Sequence, residues 1–320
     1  MTVVGGGIVG LAAADALVRR GADVVVLERG EPGAGQSAGV ARGFRHLHAT
    51  RQQILRAMRA RARWDEWSAR AGEPLVGGEG ALRLGGDVEG DAAELRAAGV
   101  PASVLERHEA VDAGPLLWDP RGGAIRARRA IEWLASGLSI RRAEAVAVSP
   151  GRVDDLRCGH VVLCAGAGTE RLWPGVAMRR VVHLRVTFES PGEPLPTWAD
   201  RSGRYGEQTY GVADGPGRFA LGLAELDAQP AAEPGADVVP GGVDLGAIRD
   251  RIHAYARAAF PRFGAPVDEV VRLLTVLSGP DEDAFVLHTE PGLTVVAGHN
   301  LFKLAPLLGE EIADASTPVA

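Results

Sequence analysis

The chain has 320 residues, enough for one large domain or two interleaved ones around a substantial core. Its 46% hydrophobic and 24% charged residues are those of an ordinary globular protein, and its net charge of −6 argues against a general nucleic-acid binder. Two cysteines, Cys158 and Cys164, are too few for a disulfide framework, and no apolar run approaches the length of a membrane helix, so we expect a cytoplasmic protein without a membrane span.

The N-terminal apolar run lacks a basic leader and reads better as the start of a βαβ unit than as a signal peptide. Val3 and Val4 predict a buried strand, residues 8–20 a helix closed by Gly21, and residues 24–27 a second buried strand ending at Glu28. Between the first strand and the helix, Gly5, Gly7 and Gly10 fit G-x-G-x-x-G. Gly5 permits the tight turn, Gly7 lets a pyrophosphate approach the backbone, and Gly10 lets helix and strand pack closely. The helix start offers the N–H groups around Ile8 and Val9, and a positive dipole end, to phosphates. Glu28 follows the last glycine by 18 residues, near the spacing of about 20 at which a carboxylate accepts from ribose hydroxyls. An acid there favours an unphosphorylated ribose, hence FAD or NAD rather than NADP.

Residues 29–39 form a glycine-rich loop, and residues 40–48 bring Arg42, Arg45, His46 and His48 close together in what reads as more loop. No carboxylate or cysteine stands at ligand spacing, so no metal site is expected; two arginines there suit anion binding. Residues 50–71 read as a helix with Thr50 as N-cap and Gly72 as C-cap, its arginine-rich face solvated. Then come a strand (80–84), a helix (88–98), a strand (103–107), a short helix (109–117), a strand (123–127), a helix (128–136), and strands at 138–149 and 159–164. The last runs into the small residues Ala165 and Gly166, which permit close approach of a ligand or another backbone. Residues 178–189 alternate strongly: Val182, Leu184, Val186 and Phe188 on one face, Val181, His183, Arg185 and Thr187 on the other. Strands at 204–212 and 218–224 continue this pattern. A loop (227–243), a helix (245–260), a strand (267–277), a turn (279–283), a short strand (293–297) and a helix (304–315) complete the chain.

The fold class expected is α/β: a Rossmann-like nucleotide-binding domain of discontinuous segments (1–75, 123–177 and 278–320) with an inserted antiparallel-sheet substrate domain (76–122 and 178–277). One count bears on chemistry. Of the 35 basic residues, only Lys303 is lysine. A chain that uses arginine wherever either cation will do and keeps one lysine makes that lysine a candidate for a role needing a compact ammonium.

The glycine fingerprint, the Ala-Arg-Gly-Phe-Arg-His segment at 41–46, the Val-Leu-Cys-Ala-Gly-Ala segment at 162–167, Pro-Asp-Glu at 280–282 and Ala-Gly-His-Asn-Leu-Phe-Lys-Leu-Ala-Pro at 297–306 together carry a resemblance. Nearly end to end, the chain resembles the FAD-dependent amino-acid and amine oxidoreductases of the monomeric sarcosine oxidase, glycine oxidase and D-amino-acid dehydrogenase group. The resemblance implies oxidation of the C–N bond of an amino acid or related carboxylate-bearing amine to an imine, by hydride transfer to flavin. It implies an FAD site built from Gly5, Gly7, Ile8, Val9, Gly10, Glu28, Arg29, Gln36, Ser37, Ala38, Arg42, Ala165, Gly166, Gly298, His299, Asn300, Leu301 and Lys303. Arg45 and Lys303 match the pair that binds the substrate carboxylate beside the flavin, and Arg42 matches an arginine near the flavin ring; these three form the implied catalytic set. Sarcosine oxidases attach FAD through a cysteine shortly before the Pro-Asp-Glu turn, and residues 273–278 contain none, so the flavin is expected to be noncovalent. Ala220 stands where that branch has a lysine promoting reaction with oxygen, which tilts the expectation away from a fast oxidase and leaves the electron acceptor as O2 or another carrier. His46, His183 and His299 are candidate bases, each favoured as structural. Two alternatives stay open: an NAD-dependent dehydrogenase, and a flavin-binding protein without catalysis.

Overall fold

A computed structural model describes residues 1–111, 113–192, 194–224, 227–228 (backbone only), 243–277 and 284–317. The expected turn with Pro280, Asp281 and Glu282 lies outside the described residues, as does nearly all of the expected loop at 227–243.

The chain opens with β1 (Thr2–Val4), α1 (Ile8–Arg19), β2 (Val25–Glu28), β3 (Ala41–Phe44) and α2 (Arg51–Ala71). It continues through β4 (Ala81–Leu84), α3 (Val88–Ala97), β5 (Ser103–Leu105), β6 (Leu116–Asp119), β7 (Gly123–Arg126), α4 (Ala127–Ser136) and β8 (Ile140–Arg142). A small meander of β9 (Val148–Ser149), β10 (Arg152–Val153) and β11 (Leu156–Arg157) precedes β12 (Val161–Leu163) and α5 (Thr169–Leu172). Then come β13 (Met178–Glu189), β14 (Thr197–Asp200), β15 (Thr209–Ala213), β16 (Arg218–Leu223), β17 (Asp227–Ala228), α6 (Leu245–Ala259) and β18 (Pro266–Leu277). Last are β19 (Phe285–Glu290), β20 (Leu293–Gly298), a 3-10 turn (Leu301–Leu304) and α7 (Ala305–Ser316).

Two large sheets organise these elements. The first has six strands in the order β19-β20-β12-β1-β2-β8, parallel except for β19. The chain moves outward from β1 through β2 to β8, then returns to β12 on the other side, so the strand order reverses between β1 and β12. A crevice at such a switch point is where open α/β sheets take their ligands. Helices α1 and α7 cover one face, with Leu17, Val26, Leu308 and Ile312 fully buried between them. Their approach needs Gly309, whose added Cβ would lie 2.6 Å from the carbonyl oxygen of Ala12.

The second sheet has nine strands in the path β17-β13-β16-β15-β14-β4-β6-β5, with β18 along the free edge of β13. Its core packs against α6 through Leu184, Val186, Phe188, Trp198, Phe219, Ile252 and Tyr255. The alternation read from the sequence predicts that face of β13, and the strand runs Met178–Glu189 as expected. The ribbon β3–β7 packs against β14 and β15 of this sheet.

Helix α2 follows its sequence signals closely. Thr50 Oγ1 accepts from Gln53 N, the Gln53 side chain answers Thr50 N, and Gly72 ends the helix in the left-handed region at φ 73°. Elsewhere the structure corrects the reading. The described residues of 109–117 form no helix: Pro115 interrupts it, and Leu116–Asp119 joins β4 and β5 instead. The strand expected over 204–212 begins only at Thr209, and β14 and β19 were not expected at all. The segment after the glycine-rich loop is strand β3 rather than loop, paired in antiparallel register with β7. Among the described residues no helix is long and apolar enough to cross a membrane.

Candidate active site

The glycine turn closes tightly on the end of β12. A Cβ on Gly5 (φ 106°) would lie 2.4 Å from the Cys164 carbonyl oxygen, and a Cβ on Gly10 would lie 2.0 Å from that of Gly5. Both positions therefore require glycine. Gly7 is the N-cap of α1 and supplies no side-chain cap, and the first turn holds no acid. The Ile8 amide instead donates to Ser37 Oγ at 3.0 Å, which draws the glycine-rich loop over the helix start. Glu28 faces the same turn: Oε2 accepts from Gly6 N at 2.7 Å and Oε1 from Gly30 N at 2.8 Å. A carboxylate has about four acceptor sites, so both oxygens keep capacity for ribose hydroxyls. Arg29, beside it, is exposed.

The loop carrying Gln36, Ser37 and Ala38 is fastened from two sides. Arg42, on β3, donates from Nη2 to the carbonyls of Gln36 (3.2 Å) and Ala38, and from Nη1 to that of Ala41 at 2.8 Å. Gln36 Nε2 donates to Thr275 Oγ1 on β18 at 2.7 Å. Gly166, in the turn after Ala165, lies alongside: its added Cβ would be 3.8 Å from the Gln36 amide.

The closing turn completes the enclosure. Gly298 ends β20, Asn300 adopts the left-handed region at φ 56°, and Leu301–Leu304 follow as a 3-10 turn. Trp64 of α2 holds this turn: its Nε1 donates to the Lys303 carbonyl at 2.8 Å, and its ring stacks on Phe302 with centroids 6.3 Å apart. The Arg42 guanidinium sits 5.2 Å over the same Phe302 ring. Lys303 is buried, at 5% exposure. β3 packs against this turn, and Arg45, half-buried, directly follows β3.

Facing β3 from the nine-stranded sheet is a cationic cluster. His183 and Arg185 share the face of β13 opposite the α6-packed side, and Arg272 stands in register with His183 on β18. Arg185 donates from Nη1 to the Ala41 carbonyl at 2.9 Å and from Nε to Tyr210 Oη at 3.2 Å. The Tyr210 hydroxyl lies 3.3 Å from His183 Nδ1, and the two rings stack at 4.9 Å. Burial, then the charges of Arg272 and Arg185, hold His183 well below the usual histidine range and therefore neutral. Burial, and then Arg185, push Arg272 down to about 10. Burial, then Arg272 and Arg185, likewise depress Arg42.

The structure also places two other residues that the sequence singled out, His46 and Ala220. His46 does not open onto the cluster: its Nδ1 lies 2.8 Å from Asp119 Oδ2 and its backbone N–H donates to the same carboxylate at 2.9 Å, both side chains fully buried. Ala220 sits on β16 at 1% exposure, opposite Thr187 and Val212, on the face of the sheet that carries Arg185. Sequence reading missed Trp64, Tyr210, Arg272 and Thr275 as site neighbours. The polar face of β13 was a visible signal for Arg185; the others depend on strand pairing and on a helix crossing.

FAD fits these residues. The glycine turn, the helix start without an acidic first turn, Glu28 and the fastened 36–38 loop form a cradle whose turn would be forced open by a side chain at Gly5 or Gly10, while one at Gly7 would press on Ser37 Oγ, 3.3 Å from its Cβ. The chain matches the family profile described as FAD dependent oxidoreductase (DAO) over residues 1–315. No curated protein sequence matches it. Among solved structures its fold is similar to the open form of NikD, an unusual amino acid oxidase essential for nikkomycin biosynthesis, at 24% identity over 100% of this chain and 95% of that one, TM-score 0.84. It is similar also to L-proline dehydrogenase from P. horikoshii, at 19% identity over 98% of this chain and 91% of that one, TM-score 0.80. Glycine oxidase from Geobacillus kaustophilus gives 21% identity over 98% of this chain and 93% of that one, TM-score 0.78. The profile spans the glycine turn, both sheets and the closing turn alike, and on that ground the chain belongs to the FAD-dependent oxidoreductase family.

Proposed function

We propose that the protein oxidises the C–N bond of an amino acid or related carboxylate-bearing amine to an imine, with noncovalent FAD as the immediate acceptor. The observation that carries this reading is the chain's sole lysine, buried on the closing turn and anchored there through its carbonyl by Trp64. Burying an ammonium is costly, and a chain that otherwise uses arginine keeps this one for a compact charge beside the reacting group. NikD and glycine oxidase, both named as amino-acid or amine oxidases, support the substrate class.

FAD, when bound, accepts the hydride from the substrate α-carbon. The residues of this chain hold and orient. Gly5, Gly7, Ile8, Val9 and Gly10 receive the pyrophosphate, Glu28 and Arg29 the adenosine side, and Gln36, Ser37, Ala38, Ala165 and Gly166 line the path between. Gly298, His299, Asn300 and Leu301 close over the isoalloxazine end with Lys303. Arg42 acts as a positioning residue, since its N–H groups tie the 36–38 loop to β3. Arg45 and Lys303 clamp the substrate carboxylate and fix the α-carbon in near-attack geometry. The amine reacts as its free base, its proton passing to solvent beforehand.

The cysteines support noncovalent attachment: Cys164 is buried beside the glycine turn with its thiol pushed up to about 12 by burial, and Cys158 lies with its Sγ against the His160 carbonyl at 3.4 Å. The strands of the six-stranded sheet come from residues 2–28, 140–163 and 285–298. That supports an FAD domain of 1–75, 123–177 and 278–320 around a substrate domain of 76–122 and 178–277. The acceptor that reoxidises the flavin is O2 or another carrier; an uncharged side chain at Ala220, where the sarcosine oxidase branch has a lysine, favours a slow reaction with O2. A cytoplasmic location fits two unpaired cysteines.

Acid precipitation of the yellow protein should release all flavin into the supernatant, and anaerobic amine should bleach it. Lys303→Met should keep FAD while weakening binding of a carboxylate substrate about tenfold or more, the worth of one charge-assisted hydrogen bond. Unchanged affinity in that variant would remove the clamp from this reading. A protein that cannot be loaded with FAD would return the NAD-dependent alternative, and loaded flavin that no amine reduces would return the non-catalytic one.

A further inference from the structure

The buried carboxylates among the described residues are hydrogen-bonded. Asp119 is bonded to His46, and Asp200 accepts from Tyr255 Oη at 2.9 Å and from Ser202. Arg185 and Arg272, each only 7% exposed, make no ion pair with any described residue. Arg185 has a carbonyl and a phenol for its N–H groups, and the Tyr210 ring 5.3 Å from its guanidinium carbon. Arg272 keeps its buried Nε without a partner. The carboxylate that acts on both at longer range, Asp214, is bonded to Thr187 Oγ1 at 3.2 Å instead.

Neutral acceptors satisfy a guanidinium's N–H groups but leave its charge uncompensated, and two such cations side by side also repel. The missing compensation is an anion. The pyrophosphate cradle lies at the ends of β1 and β12, whereas this pair looks onto Ala41 and Arg42 and, through His183, onto His299 of the closing turn. Arg42, next to the Ala41 carbonyl that Arg185 holds, sits over Phe302, the residue before Lys303, so the pair lies on the side of β3 that carries the closing turn. A planar fork of N–H donors matches a carboxylate.

We propose that Arg185 and Arg272, bridged by Tyr210, form a second anion site beside Arg45 and Lys303, so that the amine oxidised here is diacidic, carrying a second carboxylate at the end of its side chain. This rests on the proposed amine-oxidising function. Tyr210 locks the fork of Arg185, and the neutral His183 supports Tyr210 without adding a competing charge.

The test uses the FAD-loaded protein and ligands that cannot be oxidised. Binding of glutarate and of valerate, which share a five-carbon chain, is titrated by the shift of the flavin absorption bands and by calorimetry. Glutarate should bind at least about tenfold more tightly, the size of one charge-assisted pair. Arg272→Gln should erase that preference, and Arg272→Lys should keep part of it. Equal binding of the two acids to the wild-type protein overturns the site without any variant. So does Arg272→Gln protein that keeps the full preference while its flavin potential falls, which would make the arginine a partner of reduced flavin alone. If glutarate is preferred but no amine, diacidic or otherwise, bleaches the flavin, the anion site stands and the amine-oxidising function fails. If only monoacidic amines bleach it and glutarate is not preferred, the function stands and the second site fails.

Discussion

In the six-stranded sheet the groups aimed at the nucleotide lie close together in sequence: Gly5, Gly7 and Gly10 within one turn, Glu28 at the end of the next strand, Ser37 in the loop after it. In the nine-stranded sheet the groups proposed to meet the substrate come from three strands, with His183 and Arg185 on β13, Tyr210 on β15 and Arg272 on β18. The first site is a local motif, because a parallel βαβ unit brings a strand end, a helix start and the next strand end to one edge by its own geometry. The second is a product of register, because only the pairing of β13 with β18 sets Arg272 opposite His183. A ligand shared by a whole family can be read from a local motif, whereas the feature proposed to select this member's substrate depends on long-range pairing.

The sharpest way to break this contrast is at a glycine. Gly10→Val puts a side chain whose Cβ alone would lie 2.0 Å from the Gly5 carbonyl oxygen, backbone against backbone, with Cys164 behind it. Neither partner can yield, so we expect loss of FAD and a cost of at least about 3 kcal/mol, with little folded protein remaining. Flavin-to-protein ratio and thermal unfolding measure it. A variant that folds and loads FAD normally would mean that the turn does not close as described.

The same contrast explains what was legible beforehand. Thr50, Gln53 and Gly72 announced α2 because capping is local chemistry, and β13 was readable because one of its faces is buried against α6 along its length. β14 was hidden: only Thr197–Asp200 pair, directly after Pro196. Arg42 looked like a loop cation because nothing in the segment 41–44 announces β7 as its partner some eighty residues later. Lys303 was found by its rarity, but its anchor was not, since Trp64 reaches it only through the crossing of α2 over the closing turn.

A middle-sized effect is expected where the ribbon side of the site is fixed. Asp119 takes both the ring and backbone N–H groups of His46, the residue after Arg45. Burial, the largest single influence, would raise this carboxyl, but the ring and backbone of His46 and the Arg121 N–H together outweigh it and hold it below its ordinary 3.8. A carboxyl depressed in the folded state stabilises the fold at pH above its unfolded value, and that contribution is lost as pH falls through the folded value. Asp119→Asn should therefore cost about 3 kcal/mol near neutrality, with the gap to wild type shrinking below about pH 4. Melting curves taken down the acid range check the sign; a gap that widens on acidification would contradict it.

The smallest effect belongs to the core of the nine-stranded sheet. Tyr255 Oη accepts from Trp198 Nε1 at 2.8 Å and donates to Asp200 Oδ2 at 2.9 Å, all three side chains nearly or fully buried. Tyr255→Phe keeps the ring and its packing on Phe260 but leaves one indole N–H unpaired, while Asp200 keeps Ser202 as a donor. The expected loss is about 1–3 kcal/mol of stability, with FAD content intact, because the network touches no element of the nucleotide crevice. Its value lies in separating the two sheets. If the variant also sheds flavin, the nine-stranded sheet supports the cradle through more than Gln36 and Thr275, and the division between a local nucleotide site and a register-built substrate site would have to be redrawn around their shared contact at β3.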